Sequence, residues 1–485
     1  MGKENSIISN LFWKFAESIS AQLVTTIVSI ILARLLEPSD YGLISMVIVF
    51  ITLANVFVSD GLASGLIQKK DADILDFSSF LYFNIAISVV LYIILFFTAP
   101  LIADFYGEGY ELIVPILRVL SLQVILTSIS SVQNAYISKK MIFNKLFKST
   151  FAGTIVSAIV GISMAYKGFG VWSLVAQYIA STLVSTFVLS IVIRKLPALK
   201  FSYKRVRNLL RYSVRILGSG LLITGFQELR ALIIGRIYSS EDLAFYDKGR
   251  QFPNLIITNI HTTISTVLFP KLSNEQDQIL RVKNTTRNAI RFSSFLLCPM
   301  MLGLAAVSRQ VVILLLTEKW LDCVPLMQLF CVINLTLPIH SANMQAIKAM
   351  GKSDTYFRLE LIKKIVELVV LLITMRISVK AIVAGVAILS TLFIFVNAYP
   401  NIRLINYSLE EQLRDLFPSV ISSLIMAVIV MFIGMLPMEE FPMLVIQIVV
   451  GITVYILIGI ITKNKELKYI YSLTKDWLSK LTQEG

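Results

Sequence analysis

The chain reads as an all-α polytopic membrane protein of about fourteen transmembrane helices, in two pseudo-symmetric six-helix lobes plus a C-terminal helix pair. Three observations lead there. Of its 485 residues 56% are hydrophobic and only 15% charged, and the mean hydropathy is +0.77, which leaves too little polar surface to cover a water-soluble fold. Apolar stretches long enough for a ~30 Å hydrocarbon core recur to the end of the chain. The short breaks between them alternate between Lys/Arg-rich and Lys/Arg-poor. Spans of ~20 residues with short connectors use up the whole length, so no soluble catalytic domain fits in the gaps.

In chain order the first six spans fall at 11–33, 41–66, 77–99, 112–137, 146–165 and 171–193, giving an N-terminal lobe over 1–193. Met1-Asn10 is polar, and no small-residue cleavage site precedes Arg34-Leu35-Leu36-Glu37-Pro38. The first span is therefore expected to be a retained helix and not a signal peptide. A basic linker at 194–208 leads to six further spans at 209–235, 243–268, 286–307, 321–347, 355–375 and 380–400, the C-terminal lobe over 209–400. The span at 209–235 carries Arg211, Arg215, Glu228 and Arg230, so it must be shielded by neighbours or face water. A last pair at 413–436 and 442–462 lies within a terminal segment over 401–485, placed to shield or shape a lateral opening.

The connectors set the orientation. Lys69 and Lys70, Lys139 and Lys140, the 194–208 linker, Lys271 to Arg291, Lys348 and Lys352, Arg403 and Arg414, and the tail lysines fall on one side. The breaks between them are poor: 100–111 has Asp104, Glu108 and Glu111, and 436–442 has Glu439 and Glu440, with no Lys or Arg in either. The positive-inside rule then places both termini and the loops at 194–208 and 270–285 in the cytoplasm. The net charge of +14 is thus mainly a topology signal, and its partner is an anionic lipid headgroup rather than nucleic acid. Cys298, Cys323 and Cys331 lie in or beside apolar spans with no metal-ligand spacing.

An internal repeat supports the two lobes. Ala33-Arg34-Leu35-Leu36-Glu37-Pro38-Ser39-Asp40-Tyr41-Gly42 recurs in outline as Gly235-Arg236-Ile237-Tyr238-Ser239-Ser240-Glu241-Asp242-Leu243-Ala244, pairing Arg34 with Arg236 and Asp40 with Asp242. Both copies are expected on the outer side, related by an axis along the membrane normal. Such a repeat already supplies both halves of a cleft, so a monomer is the expected unit.

Three motifs stand out: Lys167-Gly168-Phe169-Gly170-Val171-Trp172-Ser173-Leu174-Val175, the stretch Leu243-Ala244-Phe245-Tyr246-Asp247-Lys248-Gly249-Arg250 continuing to Leu268-Phe269-Pro270-Lys271, and Gly351-Lys352-Ser353-Asp354 with Leu359-Glu360. In order and spacing they resemble polysaccharide exporters of the Wzx and teichuronic-acid type. The resemblance covers residues 10–460 and implies the multidrug/oligosaccharidyl-lipid/polysaccharide exporter superfamily. It implies a flippase in the bacterial cytoplasmic (inner) membrane that translocates undecaprenyl-pyrophosphate-linked oligosaccharide for O-antigen, capsule or exopolysaccharide assembly, beside polysaccharide assembly enzymes. Phe245-Tyr246-Asp247-Lys248 departs from the Gly-Tyr or Leu-Tyr run followed by Arg in many relatives.

A substrate with an anionic head, a glycan and a polyprenyl tail needs a wet cationic path beside a slot open to lipid. Lys14, Arg211 and Arg215 are the candidates at the inner ends of the lobe-opening helices, the two arginines sharing a face four residues apart. Snorkelling anchorage is the alternative role for each. Arg118 and Arg230 lie about six residues inside the outer helix ends, roughly 9 Å deep, and either bind the head group or sit in static pairs with Glu228 or Asp60. Glu17, Asp60, His261, Asn334 and Glu367 are candidates for coupling or for a polar cavity. His261 has the ring to carry a proton, and Glu367, one turn from Lys363, suits a structural ion pair.

No enzyme signature competes. Gly351-Lys352-Ser353 lacks the Gly-rich approach of a phosphate-binding loop, since Ile347-Lys348-Ala349-Met350 precedes it. The acidic breaks are too short for the outer catalytic loop of a membrane glycosyltransferase. No cofactor or metal is expected; an ion gradient or the membrane potential is a candidate energy source, and the sequence does not choose between them. A small-molecule or multidrug exporter of the same broad fold is the alternative function.

Overall fold

The computed structural model describes residues 2–59, 66–67, 69, 71–193, 200–468 and 472, and their regular elements are all helical. Twelve helices among the described residues are long and apolar enough to cross a membrane. The chain divides into two compact units, Met1–Ala244 and Phe245–Gly485.

The first unit holds α1 (Gly2–Leu35), α2 (Pro38–Val58), α3 (Ile74–Tyr106), α4 (Ile113–Leu120), α5 (Leu122–Lys140), α6 (Phe143–Tyr166), α7 (Val171–Ile193), α8 (Tyr203–Ile237) and the first turn of α9 (Ser240–Asn274). Helix α3, with 33 residues, is ~50 Å long and overruns the hydrocarbon at its ends. Helices α4 and α5 join through Ser121, whose backbone is itself helical, so together they form the span expected at 112–137. Helix α2 is described to Val58, and Ser59 bonds back to the Asn55 carbonyl through both its N–H and its hydroxyl. Asn84 and Ser131 then take up the Val58 carbonyl at 3.0 and 2.8 Å, satisfying an acceptor the helix end leaves open.

The repeat is realised in the backbone. Helix α1 ends at Leu35 and α2 begins at Pro38, while α8 ends at Ile237 and α9 begins at Ser240, so the two copies break after equivalent residues. The Glu37 N–H donates to Asp40 Oδ2 at 3.2 Å, and the Ser239 N–H to Asp242 Oδ2 at 3.2 Å. Each aspartate thus caps the start of the helix whose first turn it occupies. The copies also touch, because a Cβ on Gly42 would lie 1.8 Å from the Ser240 carbonyl oxygen. Tyr110 and Tyr106 complete this end of the unit: the Tyr110 hydroxyl accepts from the Ser240 N–H at 3.2 Å, and the Tyr106 hydroxyl donates to the Met46 carbonyl at 3.1 Å.

Helices α6 and α7 are the most intimately packed pair here. Ser149, Gly153, Ser157 and Gly161 recur every fourth residue on α6 and face Ser181, Ser185 and Gln177 of α7. A Cβ on Gly153 would sit 2.0 Å from Ser185 Oγ, the close approach that small residues permit in membranes. Helix α1 lies on α6, and α8 on α2 and α3.

The second unit continues α9 and adds α10 (Ile279–Ala306), α11 (Ser308–Leu315), a 3-10 turn at Glu318–Trp320, α12 (Cys323–Leu335), α13 (Leu337–Ala349), α14 (Ser353–Thr374), α15 (Val379–Leu404), α16 (Leu409–Ile433) and α17 (Glu440–Ile461). Helix α10 packs on α12, α13 and α16, α15 on α12, α13 and α14, and α17 on α16. Helices α9 and α14 are also long enough to span, at 35 and 22 residues; α14 is rich in charge, whereas α9 has no Asp, Glu, Lys or Arg over 251–270. On α14 the ion pairs are Lys364 with Glu367 at 3.0 Å and Lys363 with Glu360 at 2.6 Å. The expected Lys363–Glu367 pairing is therefore corrected: Lys363 turns to the carboxylate one turn before it.

Gly42→Ala should destabilise the protein by about 1–3 kcal/mol, because the added methyl meets backbone and not a movable side chain. Gly218→Ala, with nothing within 4 Å of its Cβ position, should be neutral or slightly stabilising. Thermal unfolding in detergent compares the two, and equal melting would contradict the close contact.

Candidate functional site

At one end of the first unit, helix starts and linker are tied by charge. Asp73 and Asp76 open α3 with reciprocal caps. Arg205, just inside α8, reaches Asp73 at 2.5 Å and Asp76 at 3.2 Å, and Lys69 reaches Asp76 at 2.6 Å. The Asp76 N–H and the Arg205 guanidinium hold the Asp73 carboxyl below the usual carboxylate range. Lys139 donates to the Leu66 and Lys69 carbonyls, and the Ser202 N–H to Ser79 Oγ at 2.9 Å. Breaks expected to be cytoplasmic thus gather at one end, opposite the Gly42–Ser240 contact.

The candidate cations fare differently. Arg118 lies on α4, stacked 4.4 Å over the Phe96 ring, and its Nε–H donates to the Phe96 carbonyl at 3.2 Å. One of its five donors is thereby used, and the guanidinium is fixed in direction. Arg230 is half-buried on α8, as Glu17 is on α1 and Asn334 on α12. Lys14, Arg211, Arg215 and His261 fall on helices α1, α8 and α9, but their side chains lie outside the described residues, as does the whole of Asp60. Glu367 is committed to Lys364.

The second unit holds a polar cluster that sequence reasoning assigned only to topology. Asp415 of α16, its side chain fully buried, is shared by Arg287 at 2.6 Å and Arg291 at 2.5 Å, and the Tyr407 hydroxyl donates to it at 2.7 Å. Lys283 pairs with Glu411 at 2.8 Å. The partners match by spacing, since 283, 287 and 291 on α10 and 411 and 415 on α16 each step by one helical turn. Beside this cluster Asn343 donates to Gln412 at 2.7 Å and Asn401 to Asn343 at 2.7 Å, all three fully buried. The signal available was amides inside apolar stretches, which the sequence reading passed over.

Toward the far ends of α10, α16 and α17 the lining turns apolar. A cavity of about 480 Å³ opens there, bordered by Pro299, Gly303, Met426, Gly451, Ile452 and neighbouring aliphatic side chains. Tyr455 reaches it with its hydroxyl already bound to the Phe295 carbonyl at 2.9 Å. Apart from Gln447 the side chains around it are almost all apolar, so such a groove suits a hydrocarbon chain better than a polar solute.

Residues 31–325 match the family described as polysaccharide biosynthesis protein. The chain belongs to this polysaccharide biosynthesis family. It is similar to the succinoglycan biosynthesis transport protein ExoT of Rhizobium meliloti (strain 1021), 24% identical over 463 residues, 92% of this chain and 91% of that one. It is also similar to the lipopolysaccharide biosynthesis protein WzxC of Escherichia coli (strain K12), 23% identical over 335 residues, 69% and 68% of the two chains. Among solved structures the fold matches the lipid II flippase MurJ in an inward closed conformation, with a TM-score of 0.76 and 15% identity over 94% of this chain and 99% of that one. The expected exporter superfamily is therefore the right one.

In this member of the family, Asp415→Ala would leave two arginines facing each other around an empty site. A loss of about 3 kcal/mol in stability is expected. Glu411→Ala, whose carboxylate is partly exposed, should cost less than ~1 kcal/mol. Chemical denaturation of the two variants checks the order, and equal losses would contradict the shared burial.

Proposed function

We propose that this polysaccharide biosynthesis protein is a carrier, not an enzyme, that moves undecaprenyl-pyrophosphate-linked oligosaccharide repeat units from the cytoplasmic to the outer leaflet by alternating access. The observation that carries the reading is the match over nearly the whole of both chains to a succinoglycan transport protein. The fold supports it, being that of a lipid II flippase from end to end.

In this reading the twelve apolar helices together with α9 and α14 make fourteen spans with both termini cytoplasmic. The lobes are 1–193 and 209–400, joined by 194–208, with the helix pair of 401–485 appended, and the working unit is a monomer. Helix α8 belongs to the second lobe by sequence repeat and to the first unit by packing. Lys14, Arg211 and Arg215 receive the pyrophosphate from the inner side, and Arg118 or Arg230 receives it after reorientation. The α10/α16/α17 cavity holds part of the polyprenyl tail, in keeping with its apolar lining. An ion gradient or the membrane potential drives the cycle, with anionic lipids and polysaccharide assembly enzymes at the cytoplasmic face and membrane.

Reconstitution with a chemically trapped lipid-linked oligosaccharide tests the reading. Arg211→Ala and Arg215→Ala should each slow translocation, and the double variant should slow it more. A charge-assisted contact contributes only ~1.5–3 kcal/mol, so a graded loss and not an all-or-none one is expected. Lys204→Ala is the control, and a fully active, correctly inserted double variant would remove these arginines from the pathway.

The cavity is tested through the tail. Gly451→Trp, which fills it from α17, should slow a long-tailed substrate more than a short-tailed analogue carrying the same head. Equal effects on both would place the tail elsewhere.

A further inference from the structure

His340, which the sequence reading did not single out, lies on α13, within the apolar stretch Cys323–Ala349 that is long enough to cross a membrane. Its Nε2 is 2.8 Å from the Ser390 carbonyl oxygen of α15. A carbonyl only accepts, so Nε2 carries hydrogen. Its Nδ1 is 2.8 Å from Asn397 Nδ2. An amide nitrogen only donates, so Nδ1 is bare and the ring is neutral. The other end of that amide, Asn397 Oδ1, is buried with no hydrogen-bond partner among the described residues, on a side chain 1% exposed.

That arrangement has two readings of nearly equal shape. If the amide turns by half a revolution, Oδ1 replaces Nδ2 opposite Nδ1, and a protonated imidazole then donates to Ser390 and Asn397 together. The atoms exchanged are similar in size, so no repacking is needed. One end of the amide lacks a partner in either state, so the imidazole alone selects its direction. The bond to the charged ring is the stronger of the two, which offsets part of the cost of placing a charge there.

The charged groups around the ring are few. Helix α14 brings Lys363, which acts on the imidazole electrostatically and is itself held by Glu360 at 2.6 Å. Helix α15 brings Ser390 and Asn397, with Lys380 and Arg403 at its two ends. Helix α10 brings Cys298 and, nearer its start, Arg287 and Arg291, both bound to Asp415, and the buried residues of α12 include the thiols Cys323 and Cys331.

We propose that His340 and Asn397 form a proton-binding site in which the amide reverses when the ring is charged, and that its occupancy is linked to substrate movement. The linkage rests on the carrier reading above; the site itself does not.

Solid-state NMR of protein labelled with 15N at histidine and asparagine, in liposomes, tests the site. The chain has only two histidines, and His340→Gln identifies which signal is which. Over roughly pH 4 to 8, the His340 Nδ1 signal should pass from bare to protonated together with a shift of the Asn397 side-chain amide. Asn397→Leu, which removes the acceptor, should lower the midpoint by about one pH unit. An Nδ1 that stays bare throughout, or a midpoint unmoved in Asn397→Leu, overturns the site.

The linkage is read in proteoliposomes given a pH step across the membrane. His340→Gln should lose most of the wild-type acceleration while retaining the rate seen without the step. A wild-type response in His340→Gln overturns the linkage. If no variant moves lipid-linked oligosaccharide, the carrier reading and the linkage fail together, and the NMR titration still decides the site.

Discussion

A polar group sunk in hydrocarbon finds no water, so each one in a span must be partnered within the protein or left at a cost of several kcal/mol. That constraint runs through both units. Asn84 lies in a 33-residue helix, yet its Nδ2 reaches the Val58 carbonyl at 3.0 Å and the Ser128 carbonyl at 2.8 Å. It thereby secures the end of α2 and the middle of α5 at once. Asp415 does the same with charge, holding α10 to α16 through two arginines and tying in the Tyr407 hydroxyl. Where the hydrocarbon itself is to be admitted, as between α10, α16 and α17, the lining gives up polar groups almost entirely.

Much of the fold was legible because helix spans and their breaks obey one-dimensional rules. Glu37-Pro38 stops α1 and starts α2 for reasons of backbone chemistry, and Asp40 and Asp242, which pair in the sequence repeat, make the same capping contact. Gly168-Phe169-Gly170 joins α6 to α7 because both glycines adopt positive φ, +79° and +52°. What the sequence could not convey was three-dimensional partnership. The stripe of Ser149, Gly153, Ser157 and Gly161 is visible as spacing, but only a facing helix gives it meaning. The attachment of α8 to α2 and α3 depends on contacts far apart in the chain.

The candidate site was legible in kind more than in detail. Arg118 was picked out by its depth, and its bond to Phe96 accounts for how a guanidinium is accommodated there. Arg287 and Arg291 had been counted as loop charges, because a positive-inside tally cannot distinguish a solvated cation from one matched to an aspartate 124 residues or more away. Of the two histidines the sequence points to His261, as a ring able to carry a proton within an apolar span. His340 draws its interest from Ser390 and Asn397, fifty and fifty-seven residues on.

The hydroxyls between α5 and α7 give the first unit a different mechanical character. Thr182, Thr186 and Ser190 each donate to the carbonyl four residues back on their own helix, at 3.2, 2.7 and 2.9 Å. Across the seam Thr182 and Ser190 accept from Gln123 and Gln133, while the Thr186 hydroxyl also faces the Leu126 carbonyl at 3.4 Å. A crevice of about 250 Å³ lined by serines, threonines and Asn134 runs beside them. The hydroxyl protons are satisfied at home, so the donors that cross the seam are the Gln123 and Gln133 amides. Sliding α5 along α7 would strand those N–H groups, so polarity keeps the register of this seam where interlocking shape keeps that of α6 and α7.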